Sequence, residues 1–249
     1  MATRAKAVAG QVPGDFFVDT TCIDCGTCYR FAPEVFRDAG DCSSVHAQPS
    51  ADEGTLKASL ALVACPTGSI GTSDKRFVAE ASRAFPVPLG DDVHFCGYTA
   101  ESSFGAWSYL IMRPQGNVLV DSPRFAEPLA ARIEEMGGAA WMFLTHRDDV
   151  ADHAKWRERL GCDRIVHAGD RLPGVERVVE GEEPVRLAED LLLIPPPATP
   201  PEASASYFGT GCCSAAITCG GIRSGECCRR PDRPAGTTGP PNWQAWRNC

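Results

Sequence analysis

The sequence has little histidine and little positive charge. Its 249 residues include 5 histidines, and 24 lysines and arginines stand against 32 aspartates and glutamates, for a net charge of −8. This balance argues against nucleic acid as a partner, because phosphate binding needs a basic face. No run of about 18 apolar residues is present, so we expect no membrane partner. Residues 1–14 lack the apolar core of a secretory signal, and we expect a cytoplasmic location.

Cysteine, in contrast, is abundant, with 13 in the chain. One group lies within the first 70 residues or so and comprises Cys22, Cys25, Cys28, Cys42 and Cys65. A second group lies near the end and comprises Cys212, Cys213, Cys219, Cys227, Cys228 and Cys249. Because the two groups differ in spacing, each needs its own explanation.

The first group has the spacing of iron–sulfur ligands. Cys22, Cys25 and Cys28 form C-x2-C-x2-C in "CIDCGTC", and Cys65 precedes Pro66 in "ACPTGSI". Three cysteines on one loop and a remote Cys-Pro are typical of a bacterial [4Fe–4S] site. Structural zinc more often uses two separated pairs, and disulfides suit secreted proteins. Cys42 is left over, either as an uninvolved thiol or as a substitute ligand.

Residues 13–72 resemble a single-cluster bacterial-type ferredoxin in "VDTTCIDCGTC", "APEVF" and "CPTGSI". The resemblance implies a small α+β domain that binds one [4Fe–4S] cluster and exchanges electrons with a redox partner protein. We assign this domain to residues 13–76. Residues 77–92, which contain two prolines and a glycine, are expected to be a linker.

Residues 93–195 have the pattern of a second domain. Strands are predicted in "VHFCGY", "SYLIMRP", "NVLVDSP", "AAWMFLTH" and "RIVHAG". Helices are predicted in "EPLAARIEEMGG", with Pro128 in its first turn, and in "DHAKWRERLG". The order is a β-hairpin followed by alternating helices and strands.

The stretch "MFLTHRDDVADH" (142–153) concentrates possible metal ligands behind an apolar strand. Imidazole and carboxylate suit zinc, iron or manganese, which can generate a hydroxide nucleophile from bound water. The alternative is that Asp148, Asp149 and Asp152 only cap the following helix. Spacing alone leaves both interpretations open.

The strand–helix–loop order around this stretch resembles the metallo-β-lactamase superfamily, whose loop signature is H-x-H-x-D-H. His146 matches the first histidine, Asp152 and His153 match the closing pair, and Asp148 stands where the second histidine would be. The resemblance implies that these four residues bind one or two zinc or iron ions and that Asp152 orients the attacking water. His167 is interpreted as a polar loop residue.

The fold class that the two resemblances imply is α+β: a ferredoxin-like domain followed by an αββα sandwich. The implied function is that of an iron–sulfur protein with a metallohydrolase-like domain. Intact relatives hydrolyse a small molecule through metal-bound hydroxide, and this activity is expected to be impaired here because the downstream ligands are missing; the sequence does not identify the substrate. Alternatives are a ferredoxin-type electron carrier with the second domain as a scaffold, or a di-iron oxidoreductase.

The composition changes near Pro195, and residues 196–249 are expected to be mostly irregular. The superfamily's later histidine and aspartate are missing from this tail. If Ala198–Ala203 are read as GCC ACA CCC CCG GAA GCN and the frame begins one base earlier, the result is Gly-His-Thr-Pro-Gly-Ser. The same shift through "GCCSAAITC" permits a strand followed by Gly-Asp. Thr199 and Ile217 then stand where the histidine and the aspartate would be, so the sandwich is expected to be incomplete.

A single-base shift near Pro195–Pro197 is therefore expected in the gene or in the reading of it. Resequencing across this point, with mass spectrometry of the expressed C-terminus, checks the expectation. An unbroken frame together with the peptide of this tail in the expressed protein would show that the tail is genuine.

Overall fold

The computed structural model describes residues 2–170, 172–181, 183–194 and 216–219. Its α-helices are α1 (Thr27–Phe31), α2 (Asp52–Ala64), α3 (Val78–Ala84), α4 (Glu127–Glu135) and α5 (His153–Leu160). None of the described helices is both long and apolar enough to cross a bilayer.

Two small antiparallel ribbons frame the N-terminal part. The strand β1 (Phe17–Val18) pairs with β4 (Ile70–Gly71), and β2 (Phe36–Asp38) pairs with β3 (Ser43–Val45). With α1 and α2, these ribbons enclose a core that includes Phe16, Val18, Val35, Phe36 and Val45. The helix predicted to deliver Cys65 is α2, and it ends at that residue.

A seven-stranded mixed sheet follows. Its strands are β5 (Val87–Gly90), β6 (Val93–Phe95), β7 (Tyr109–Ile111), β8 (Val118–Val120), β9 (Trp141–Leu144), β10 (Asp163–His167) and β11 (Arg177–Val179). The strands lie in chain order; those from β5 to β8 are antiparallel, and those from β8 to β11 are parallel. The predicted strands and helices of residues 93–167 are thus all present.

A second sheet covers one face of the first and contains β12 (Val185–Ala188), β13 (Leu191–Ile194) and β14 (Ala216–Cys219). Successive side chains of β9 point to opposite faces of the large sheet. Phe143 packs towards β13, whereas Met142 and Leu144 pack towards the helices. The layers are therefore helix, sheet and sheet. No α-helix after α5 occurs among the residues that the structure describes, and these residues supply three of the four layers of the expected αββα sandwich.

The tail differs from its expected irregularity at one place. Residues 216–219 form β14, which pairs antiparallel with β13 so that Ile217 lies opposite Leu193. The rest of residues 196–249, including Thr199 and the other tail cysteines, lies outside the described residues.

The expected linker at residues 77–92 is instead folded. Residues Val78–Ala84 form α3, and Val87–Gly90 form the edge strand β5. Phe85 between them is fully buried and contacts Phe31 of the N-terminal part as well as Phe95 and Tyr98. The proline pattern was misleading because apolar residues between the prolines enter the core.

The chain has an N-terminal, ferredoxin-like part and a second part that contains the large sheet. The helix α2 packs against both parts, with a different face towards each. Ala58 and Ala61 face the ferredoxin-like core, whereas Leu60 and Val63 belong to the core that also contains α3, α4, α5 and the large sheet. A helix that is apolar on two faces must be buried on both. The two parts therefore share one continuous packing arrangement.

Because of this shared core, Phe85→Ala should destabilise the whole chain by about 3–5 kcal/mol, the usual cost of removing a buried phenylalanine. Urea unfolding followed by far-UV circular dichroism and by cluster absorbance should give transitions that shift together. Phe104→Ala is the matched control, because Phe104 is 54% exposed. A cluster signal that is unaffected by Phe85→Ala would show that the two parts unfold independently.

Candidate iron–sulfur centre and candidate second metal site

The loop that carries the first three cysteines is tightly curved. Asp24 and Gly26 both have positive φ, at 54° and 78°, and α1 begins immediately afterwards at Thr27. A β-carbon at Gly26 would lie 2.9 Å from the hydroxyl oxygen of Tyr29. The curvature of this loop therefore depends on glycine at this position.

The fourth cysteine is positioned by the end of α2. The Cys65 N–H donates to the Ala61 carbonyl at 3.0 Å. The Thr99 hydroxyl, from the second part of the chain, donates to the Ala64 carbonyl at 2.5 Å. One of the carbonyls that every helix end leaves without a partner is thus satisfied from outside the ferredoxin-like part.

The four predicted cysteines line one concavity. Cys22, Cys25, Cys28 and Cys65 share its wall with apolar side chains that include Val18, Ile23, Pro66 and Ile70. Cys42 is not among the lining residues. The sequence-based grouping of the four cysteines therefore corresponds to a single place in the fold.

The chemistry of this concavity fits an iron–sulfur cluster. Burial raises the pKa of the Cys28 thiol to about 12 and raises that of Cys25, so a thiolate here needs a cationic partner such as iron. Among the described residues, no three His, Cys, Asp or Glu side chains are grouped closely enough to hold one ion. A cubane binds each thiolate at a different iron corner, so four thiols around one concavity suit a cluster better than a single zinc.

Polar groups surround the sulfurs. The Ser43 N–H donates to Cys22 Sγ at 3.3 Å. The hydroxyl oxygen of Thr67 lies 3.7 Å from Cys65 Sγ, and that of Thr27 lies 3.6 Å from Cys25 Sγ. Such contacts are among the factors that set the reduction potential of a cluster.

The second part of the chain closes the site at Cys25. Gly105 has a φ of 77°, and a β-carbon there would lie 2.7 Å from Cys25 Cβ and 2.8 Å from its Sγ. The Trp107 indole N–H donates to the Thr27 hydroxyl oxygen at 3.3 Å. Sequence reasoning missed Thr27, Gly105 and Trp107, because contacts across nearly 80 residues leave no local pattern.

The predicted second metal site is only partly assembled. His146 follows β9, and its Nδ1 lies 3.5 Å from Asp148 Oδ2 and accepts the Asp148 N–H at 3.2 Å. These two side chains are thus brought together at the carboxyl end of a parallel strand, where ligands of such sheets commonly bind.

Asp152 and His153 are engaged elsewhere. Asp152 stands at the start of α5, accepts the Phe125 N–H at 2.9 Å and pairs with Lys155 at 2.7 Å. Arg164 lies 3.1 Å from His153 Nδ1 through its Nη1, and burial followed by the Arg164 charge lowers the pKa of His153. The described residues therefore offer one His–Asp pair and not a four-residue ligand set, so metal binding by these four residues stays a prediction.

The helix-cap alternative is also only partly met. Asp152 occupies the N-cap position of α5, but its side chain makes no capping hydrogen bond to the backbone N–H groups of that helix. Its carboxylate instead ties α5 to the loop before α4 and to Lys155. His167 lies at the end of β10 with its Nε2 3.1 Å from the Gly181 carbonyl oxygen, in keeping with a polar loop residue.

Asp121 is a buried carboxyl to which the sequence assigned no role. It follows β8 and accepts the Thr145 N–H at 2.7 Å and the Thr145 hydroxyl at 2.9 Å. Burial, with a smaller contribution from the charge of Asp149, raises the pKa of Asp121 to about 8. Its signal in the sequence was an aspartate directly after a buried strand.

This raised pKa predicts a pH-dependent stability. Between the ordinary pKa of 3.8 and about 8, the unfolded chain has released a proton that folded Asp121 keeps, so stability falls as pH rises through this window. Asp121→Asn should remove up to about 1.4 kcal/mol per pH unit of this slope. Urea unfolding between about pH 5 and about pH 7.5 measures it. Asp163→Asn, at an exposed carboxyl, should keep the wild-type slope, and equal slopes in all three proteins would contradict the expectation.

Comparison with known proteins confirms the ferredoxin resemblance. Residues 18–72 match the family described as the 4Fe-4S single cluster domain of Ferredoxin I. No curated protein matches the chain.

Several solved structures are similar to part of the chain, and the three that follow are among them. The FEZ-1 metallo-β-lactamase of Legionella gormanii is 18% identical over 44% of this chain and 52% of its own, with a TM-score of 0.34. MIM-1 of Novosphingobium pentaromativorans is 21% identical over 43% and 48%, with a TM-score of 0.34. BJP-1 of Bradyrhizobium japonicum, a subclass B3 metallo-β-lactamase, is 19% identical over 43% and 49%, with a TM-score of 0.33. The chain spans about half the length of these enzymes, and its own architecture is established by its strand order and packing.

Proposed function

We propose that this chain is a one-electron carrier in which Cys22, Cys25, Cys28 and Cys65 hold a [4Fe–4S] cluster and the second part forms its rigid support. The observation that carries the proposal is the single concavity that these four cysteines line, closed by Gly105 of the second part. When bound, the cluster supplies reversible one-electron exchange.

The residues around the concavity suit electron transfer. Val18, Ile23 and Ile70 limit the access of water to the thiolates, and the Ser43 N–H stabilises negative charge on Cys22. The shared burial of α2 holds Cys65 in place from two sides. A site that is held rigidly changes little in geometry between two oxidation states, which favours rapid electron exchange.

The partner of such a carrier is a redox protein, either a reductase or an acceptor. The region near Cys22 is acidic, because Asp24 lies near the charges of Asp38 and Asp41. Burial, together with these two charges, raises the pKa of Asp24. A partner with a basic docking face would complement this surface.

Metal-dependent hydrolysis of a small molecule is the second candidate. His146 and Asp148 lie side by side, and Asp149 next to them is a half-buried carboxyl whose pKa is raised by burial and by the charges of Asp148 and Asp170. A zinc or iron ion would relieve this repulsion. The described residues do not complete a ligand set, so no catalytic step is assigned.

Metal analysis separates the two candidates. The purified chain should contain about four irons per molecule, as one cubane requires. Cys65→Ala should lose the cluster and its electron paramagnetic resonance signal on reduction, whereas Cys42→Ala should keep both, because Cys42 lies outside the concavity.

His146→Ala should leave the iron content and the reduced-state signal unchanged. The hydrolase would be supported instead by two results. The wild type would contain zinc, iron or manganese beyond the cluster and would hydrolyse an ester or thioester, and His146→Ala would lose both the extra metal and this activity. Absence of iron from protein prepared without oxygen would refute the carrier.

A further inference from the structure

A hydrogen-bonded chain connects the second part of the protein to one cluster cysteine. The Trp107 Nε1 lies 3.3 Å from Thr27 Oγ1. The same hydroxyl lies 3.6 Å from Cys25 Sγ and 3.4 Å from the Gly105 carbonyl oxygen. Thr27 is buried.

The chemistry of the three groups limits which of them can donate. An indole N–H can only donate, so Trp107 occupies a lone pair of Thr27 Oγ1. A cysteine bound to iron is a thiolate and can only accept. With Cys25 as a thiol, the Thr27 hydroxyl donates to the Gly105 carbonyl at 3.4 Å and accepts from Cys25 Sγ. Once Cys25 is a thiolate, the single proton of this hydroxyl has the charged sulfur as its stronger acceptor.

Trp107 itself is held by the shared core. Its ring stacks on Phe95, with centroids 4.2 Å apart and planes 25° apart. Phe95 is fully buried and packs against Phe31 and Phe85, which join the two parts of the chain. The indole donor therefore has a fixed position relative to Thr27.

The close approach of Gly105 restricts the other side of Cys25. No β-carbon fits there, since it would lie 2.8 Å from Cys25 Sγ. The loop around Gly105 therefore lies directly against the sulfur and reduces its contact with water on this side. A hydrogen bond sheltered from water is electrostatically stronger than an exposed one.

We propose that Trp107 is a positioning residue that sets the reduction potential of the cluster, by orienting the Thr27 hydroxyl towards Cys25 Sγ. This inference rests on the proposed carrier function. A one-electron reductant such as dithionite adds one negative charge at the site, and no covalent bond forms or breaks. A donor aimed at a cluster sulfur stabilises the added charge and so raises the potential.

The test is a redox titration of the cluster-bound full chain. Trp107→Phe keeps the ring contact with Phe95 but removes the indole donor, and its midpoint potential should be more negative than that of the wild type. Thr27→Val should shift the potential in the same direction, and Thr27→Ser should retain the wild-type potential. The double variant Trp107→Phe with Thr27→Val should match Thr27→Val alone, because both residues act through one hydroxyl.

Trp156→Phe is the matched control. Its indole N–H donates to the Pro123 carbonyl at 2.7 Å inside the second part of the chain, and the residue is fully buried. This variant should lose stability without any shift in potential. A shift equal to that of Trp107→Phe would mean that general loosening, and not the Thr27 contact, sets the potential, and would overturn the inference.

The outcomes separate this inference from the carrier function. Failure of the wild type to bind a cluster would refute the carrier. A reducible cluster whose potential is the same in the wild type and Thr27→Val would refute the Trp107 inference alone. Thr27→Val is nearly isosteric, so it tests the hydroxyl even if Trp107→Phe folds poorly.

Discussion

The double burial of α2 is the constraint on which the rest of this structure depends. Ala58 and Ala61 on one face complete the ferredoxin-like core, and Leu60 and Val63 on the other enter the core of the large sheet. Either face exposed to water would forfeit roughly 25 cal/mol for each Å² of apolar surface. The helix therefore fixes how the two parts are joined, and with it the position of Cys65 at its end.

This arrangement gives the second part of the chain a direct role at the cysteine site. Thr99 satisfies the Ala64 carbonyl, Gly105 covers Cys25, and Trp107 reaches Thr27. A scaffold that contributes groups to the cluster site can adjust the electrostatics around the sulfurs as well as hold the fold together. The segment between β6 and β7, which carries Thr99, Gly105 and Trp107, is therefore part of the second part's fold and also contacts the cysteine site of the first.

At the second candidate site, two of the four predicted ligands make polar contacts away from the His146–Asp148 pair. The carboxylate of Asp152 is used to hold the Phe125 backbone, and the ring of His153 is turned towards Arg164. Arg164 in turn is paired with Glu176. The Glu176 carboxylate accepts hydrogen bonds from both the backbone N–H and the side-chain Nε–H of Arg164. These competing polar contacts could not be foreseen from the spacing of residues 142–153, because their partners come from other strands and loops.

The sequence by itself determined the features that depend on neighbours along the chain: the cysteine loop, the helix ending at Cys65, the alternation of the sheet strands and the Pro128 helix start. Spacing and periodicity suffice there because the interacting residues lie within a few turns or one strand of each other. Only the tertiary structure decided that residues 78–90 are folded, that Asp121 is buried against Thr145, and that Trp107 and Gly105 close the cysteine site. The physical reason is that burial and hydrogen bonding between distant segments depend on how the layers pack, and packing leaves no periodic trace at the positions where the contacts form.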